Sequence, residues 1–99
     1  MADAPDEWFY ASVDLSNDIT TITAVPCLVK GWGITSTMSA QPLTIYDGTT
    51  PVFTIPASTA IGTNAEYRGS IRFETSLIVD PDNAATGIVS LYYRPMRYP

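Results

Sequence analysis

Ser70-Ile71-Arg72-Phe73-Glu74-Thr75-Ser76-Leu77-Ile78-Val79 carries the clearest pattern in the chain, with Ile71, Phe73, Leu77 and Val79 pointing one way and Arg72, Glu74 and Ser76 the other. A period of two belongs to an extended strand with one buried and one wetted face, because successive side chains leave a pleated backbone on opposite sides. The stretch therefore predicts a half-buried β-strand. Beyond it, Asp80–Gly87 reads as a loop and Ile88–Arg94 as a closing strand with Val89, Leu91 and Tyr93 on one face. Before it, Pro56–Gly69 reads as a polar loop of small residues without periodicity. Leu43–Tyr46 and Val52–Ile55 flank Asp47-Gly48-Thr49-Thr50-Pro51, and an Asp-Gly pair between alternating runs predicts a hairpin, with Phe53 and Ile55 sharing a side. Cys27–Thr37 forms a longer strand in which Gly31 and Gly33 flank Trp32, so a bulge or a close backbone approach is expected beside the indole. Pro26 marks an edge or bend after the short strand Ile19–Ala24, and Asn17-Asp18 is the turn that follows a first strand, Trp8–Leu15.

No stretch has a helical period, and 8 Pro and 6 Gly punctuate the chain. Seven to eight short strands at this spacing predict an all-β fold, an antiparallel β-sandwich of jelly-roll type. At 99 residues there is room for one core, with roughly 64% of the unfolded surface buried. The expected organisation is a flexible acidic N-terminal arm over 1–7, a single sandwich domain over 8–94 and a C-terminal tail over 95–99.

Hydrophobic residues make up 45% of the chain and charged residues 15%, with 13 Thr and 8 Ser taking the place of charge. That composition excludes a charged disordered tail, a coiled coil and a basic nucleic-acid binder. Of the net charge of −5, all falls in residues 1–18, which hold Asp3, Asp6, Glu7, Asp14 and Asp18 and no base. Arg94 and Arg97 lie at the other end, so the two ends can attract each other within a chain or between copies. Cys27 is the single cysteine; its apolar neighbours Val25, Pro26, Leu28 and Val29 predict a buried thiol, and no intrachain disulfide can form. Met1–Glu7 lacks the apolar core of a secretory signal, and no run approaches the roughly 20 apolar residues of a membrane helix. Together these point to synthesis in a reducing cytoplasm and to no membrane partner.

Chemistry has little to recruit. Histidine is absent and Lys30 is the only lysine, so the usual nucleophile–base arrangements cannot be assembled. Asp47, Glu66, Glu74, Asp80 and Asp82 could in principle supply a carboxylate pair, but each reads more simply as a turn, loop or polar-face residue. Asp80-Pro81-Asp82-Asn83 begins like a calcium loop but continues with Ala85 and Leu91 where Gly and Glu are needed. The expectation is no enzyme, no metal and no cofactor.

The aromatic residues say more. Trp8-Phe9-Tyr10 puts three large rings in succession on the first strand, so both of its faces are apolar; Tyr92-Tyr93 repeats this on the last, followed by Arg94, Pro95, Met96, Arg97 and Tyr98. A strand wetted on one side would alternate. Tyr, Trp, Met and Arg are the residue types enriched at the centres of interfaces. The candidate interface residues are Trp8, Phe9, Tyr10, Tyr92, Arg94, Arg97 and Tyr98, set against the alternative that the rings serve one small domain alone.

Lys30-Gly31-Trp32-Gly33-Ile34, Leu43-Thr44-Ile45-Tyr46-Asp47-Gly48, Ile71-Arg72-Phe73-Glu74 and Gly87-Ile88-Val89-Ser90-Leu91-Tyr92-Tyr93-Arg94, taken together, resemble the small β-sandwich decoration or cement proteins of tailed-phage capsids. The likeness covers about residues 30–94 and consists of strand types, with no catalytic signature to carry across. It implies a virion structural protein that binds the assembled shell in many copies. The major capsid protein would be its partner, a homotrimer or higher homo-oligomer its form, the capsid surface its place, and the host cytoplasm its site of assembly. Alternatives are another virion component (head fibre, neck or tail) and a carbohydrate-binding module with Trp32 or Tyr46 as stacking platform.

Overall fold

The computed structural model describes residues 8–96. These fold into eight strands: β1 (Phe9–Asp14), β2 (Thr20–Thr23), β3 (Cys27–Ser36), β4 (Leu43–Asp47), β5 (Thr50–Ile55), β6 (Asn64–Phe73), β7 (Leu77–Asp80) and β8 (Ile88–Pro95). They make two four-stranded sheets, ordered β1-β8-β3-β6 and β2-β7-β4-β5, in which every pairing is antiparallel. The pairing is nested: β1 with β8, β2 with β7, β3 with β6, and β4 with β5. The chain is thus one long hairpin that turns at Asp47–Thr50 and is folded over, so that every strand-to-strand step except β4–β5 changes sheet.

One core fills the space between the sheets. Val13, Val29, Ile34, Phe73, Val89 and Leu91 enter it from the first sheet, and Leu43, Ile45, Ile55, Leu77 and Val79 from the second. These residues alternate with exposed or half-buried ones along their strands, as an all-β sandwich with wetted outer faces requires, except on β3, where Gly31–Ile34 are all buried. Cys27 is fully buried in the same cluster; burial, with a smaller contribution from the Asp47 charge, pushes its thiol up to about 12, so it behaves as a small apolar side chain.

Two expectations are corrected. Ser70–Val79 is not one strand: β6 ends at Phe73, β7 starts at Leu77, and Glu74–Ser76 carry the chain from the first sheet to the second. The apolar positions keep their phase because both sheets turn their inner faces to the same core, so Phe73, Leu77 and Val79 are all fully buried. At the crossing itself the phase breaks: Thr75 is exposed and Ser76, expected on the wetted face, is buried. Asp47 anchors that crossing. Its carboxylate accepts the backbone N–H groups of Glu74, Thr75 and Ser76 at 2.9, 2.8 and 3.3 Å. The second correction concerns the Pro56–Gly69 loop, which ends early because β6 begins at Asn64 and puts Glu66 on a strand. β6 hides its strand character behind an interruption. Between the pairs Gly31↔Glu66 and Val29↔Ile71 it inserts Tyr67–Ser70 against Lys30 alone, with Gly69 and Ser70 at φ of 80° and 65°.

Candidate interaction surface

The outer face of the β1-β8-β3-β6 sheet gathers the unusual side chains. Strand alternation divides Trp8-Phe9-Tyr10 between two faces: Phe9 turns to the inner side against Tyr93, ring centroids 5.8 Å apart, while Trp8 and Tyr10 turn outward. Register sets Tyr10 directly opposite Tyr92, and the two rings meet edge to face at 4.8 Å and 84°. Tyr10 remains 74% exposed. Trp8 has Lys30 Nζ 5.6 Å and the Arg94 guanidinium 5.2 Å from its ring centroid, within reach of cation–π attraction.

Beside these rings the surface is low, because β3 offers glycines there. The expected close approach at Trp32 is real and is made by its neighbours. A Cβ on Gly31 would land on the Ala65 carbonyl oxygen of β6, and one on Gly33 would lie 2.7 Å from Tyr92 Oη, since the tyrosine lies across β3 at that point. The strand slips register between Val29 and Gly31, which is the bulge. Two adjoining depressions result. One of about 260 Å³ is bounded by Trp8, Tyr10, Lys30, Glu66 and Tyr92. The other, of about 400 Å³, shares Trp8, Lys30 and Glu66 and runs on to the Tyr67–Ser70 excursion. Lys30 and Glu66 form an exposed ion pair at 3.4 Å between them.

Of the residues singled out from the sequence, Trp8, Tyr10, Tyr92 and Arg94 come together on this face. Phe9 does not: it lies on the inner side and is 39% exposed. Arg97, Tyr98 and the acidic arm over 1–7 lie outside the described residues. Lys30, Glu66 and the two glycines were not marked as interface residues; the lone lysine placed just before Gly-Trp-Gly was the available signal. Trp32 is overturned as a stacking platform. It is buried, and its Nε1–H donates to Tyr67 Oη at 2.9 Å inside the sandwich. Tyr46 is half-buried on β4, in the other sheet.

Asp47 is committed to three backbone donors; burial opposes its ionisation, but those donors prevail and hold its carboxyl below the usual range. Asp14 is likewise held low by Ser16, whose hydroxyl and backbone N–H both donate to it. Among the described residues no group of three His, Cys, Asp or Glu is placed to hold a metal ion, and no helix is long and apolar enough to cross a membrane. No family model matches the chain, and neither a curated protein nor a solved structure matches it.

Proposed function

We propose that the chain is a structural protein of a virion, a decoration or cement protein that binds the assembled capsid in many copies and stabilises it without enzymatic activity. The observation that carries the reading is the outer face of the β1-β8-β3-β6 sheet, where exposed Tyr10 meets Tyr92 and Trp8 lies beside Lys30 and Arg94. Aromatic rings with an arginine beside them are the residue types enriched at interface centres. We further infer that the sandwich is a jelly roll; the nested pairing of eight strands across two sheets supports this. In this reading the outer face seats on the major capsid protein. Each seat is small, and repetition over the shell turns many modest contacts into firm attachment. A subunit that binds the assembled shell better than its parts shifts the balance toward the shell by mass action.

The test is a count and a competition on particles of the virus whose genome encodes the chain. Mass spectrometry is expected to find copies comparable in number to the major capsid protein. A handful per particle would point to a neck, tail or fibre component instead, and none would overturn the virion reading. Trp8→Ala is expected to keep the melting temperature and lose occupancy when added back to stripped shells. Unchanged occupancy would remove the outer face from the account.

A further inference from the structure

We propose that the open edge of β1 is where two copies of this chain join, antiparallel and about a two-fold axis, merging their β1-β8-β3-β6 sheets into one. The sandwich has four strand edges, at β1 and β6 in one sheet and at β2 and β5 in the other. An open edge is a template for a further strand, and folded chains blunt such edges with proline, bulges, charge or brevity. Three of the four are blunted. β5 contains Pro51 and slips register opposite Ile45 and Tyr46. β2 has four residues and slips between Thr21 and Thr23. β6 carries Arg68, Arg72 and the Tyr67–Ser70 excursion. β1 is the least protected: its six residues keep unbroken register with β8 and include no Pro, Gly, Lys or Arg, and its one charge, Asp14, is its last residue.

The hydrogen-bond phase determines how a second copy must arrive. Leu15 N–H donates to Gly87 O at 2.9 Å, one step beyond the β1·β8 register. The odd-numbered residues of β1 therefore bond β8, and the N–H and C=O groups of Tyr10 and Ser12 face the open side. Asp14 has the same phase as these, since its carbonyl accepts Asn17 N–H at 3.1 Å, away from β8. A second β1 that satisfies these groups must set even-numbered residues opposite even-numbered ones. Both sandwiches then lie on the same side of the joint sheet, and their outer faces run together.

The register that uses both open residues of each copy pairs Tyr10 with Ser12 of the second copy. One step further it brings Trp8 opposite the second copy's Asp14. A carboxylate thus arrives beside the indole that Lys30 and Arg94 flank at 5.6 and 5.2 Å, and symmetry repeats the contact. That complementarity selects a second copy as the occupant. The two-fold closes on itself, so the unit is a dimer in place of the trimer expected from the sequence. None of this depends on what the outer face binds.

Sedimentation equilibrium of the full chain over a concentration series, beside Ser12→Pro, tests the proposal. Ser12 N–H points away from β8, so proline costs no bond within the sandwich while removing one donor on each side of the joint. The wild type is expected to form dimers. The variant should bind itself roughly 100-fold more weakly, about tenfold for each of two lost N–H···O bonds, with its melting temperature kept. Ser12→Lys, which places a charge at the same edge, gives the same reading should proline disturb β1. A wild type that stays monomeric, a trimer as the smallest assembly, or variants that dimerise as tightly as wild type would overturn the proposal. So would slow amide exchange at Tyr10 and Ser12 in the dilute monomer, which would mean the chain covers this edge itself.

Discussion

Replacing Asp47 by alanine removes the clamp that holds the crossing from the first sheet to the second. Three backbone donors, at 2.8 to 3.3 Å, lose their acceptor together. Bonds to a charged acceptor contribute about 1.5–3 kcal/mol each when shielded, but the Glu74 and Thr75 amides lie at the surface, where water can replace the carboxylate. Discounted for that exposure and set against the ~1 kcal/mol typical of a capping carboxylate, the expected loss is about 2 kcal/mol. A domain of this size has roughly 5–15 kcal/mol in all, and its melting temperature would fall by about 8–16 °C. The pH dependence gives the sharper signature. Because the folded carboxyl is held below its ordinary value of 3.8, the contribution is complete above that value and fades as pH falls through the folded one. Urea unfolding of wild type and Asp47→Ala at neutral pH and at successively lower pH should show the gap shrink once the medium is more acidic than about 3.8. The low value of Asp14 is common to both proteins and cancels in the difference. Asp47→Asn keeps one acceptor oxygen and should lie between the two, with no such pH dependence. A gap under about 0.5 kcal/mol, the range of ordinary surface substitutions, or one that does not change with pH, would refute the clamp.

Two further substitutions probe the floor and the interior of the surface. Gly31→Ala drives a methyl into the Ala65 carbonyl of the neighbouring backbone and should destabilise by about 3 kcal/mol or more, whereas Gly33→Ala meets only the movable end of Tyr92 and should be far milder; equal melting temperatures for the pair would contradict the close approach. Tyr67→Phe strands the buried Trp32 N–H and should cost about 1–3 kcal/mol in urea unfolding, and a neutral result would mean that the indole finds another acceptor.

The β4–β5 hairpin was legible because Asp47-Gly48 states its turn in chemistry, with Gly48 at a φ of 62°. The closing strand was legible because Val89 and Leu91 alternate with wetted neighbours. The sheet crossing at Glu74–Ser76 was not, and the reason is general to sandwiches: a chain that leaves one sheet for the other keeps its apolar residues pointing at the same core. The apolar residues on either side therefore stay in one period of two, although Thr75 and Ser76 between them break it. Only a long-range acceptor, Asp47, marks the break, and it lies 27 residues away in sequence from the first amide that it binds. β6 was missed for the opposite reason. Its interruption at Tyr67–Ser70 spoils the period where the backbone is still paired. The surface was half legible. Rings on the first and last strands announced themselves, whereas Lys30 and Glu66 join them through register between strands distant in sequence, which no local pattern encodes. Trp32 and Trp8 show the limit most plainly, since the tryptophan flanked by glycines is the buried one.

The charges bear on orientation. All the described bases, Lys30, Arg68, Arg72 and Arg94, belong to β3, β6 and β8 of the first sheet, whose strands also carry the acids Asp14 and Glu66, with Glu74 just beyond the end of β6. The second sheet and its turns carry Asp18, Asp47, Asp80 and Asp82 and no base. With Asp47 committed to the crossing, the second side keeps an acidic balance and carries hydroxyls such as the Thr44–Thr54 pair at 3.2 Å. Such a side repels its own kind and stays wet. The first side has rings to bury, cations beside an indole, a floor lowered by two glycines, and the least protected edge. The proposed attachment and the proposed self-pairing therefore fall on one sheet, and the β1 joint would double the face offered to a shell without turning any of it away. A dimer joined through β2 or β5 would instead extend the acidic side, where no such contacts wait; the polarity of the sandwich and the state of its edges select the same sheet on independent grounds.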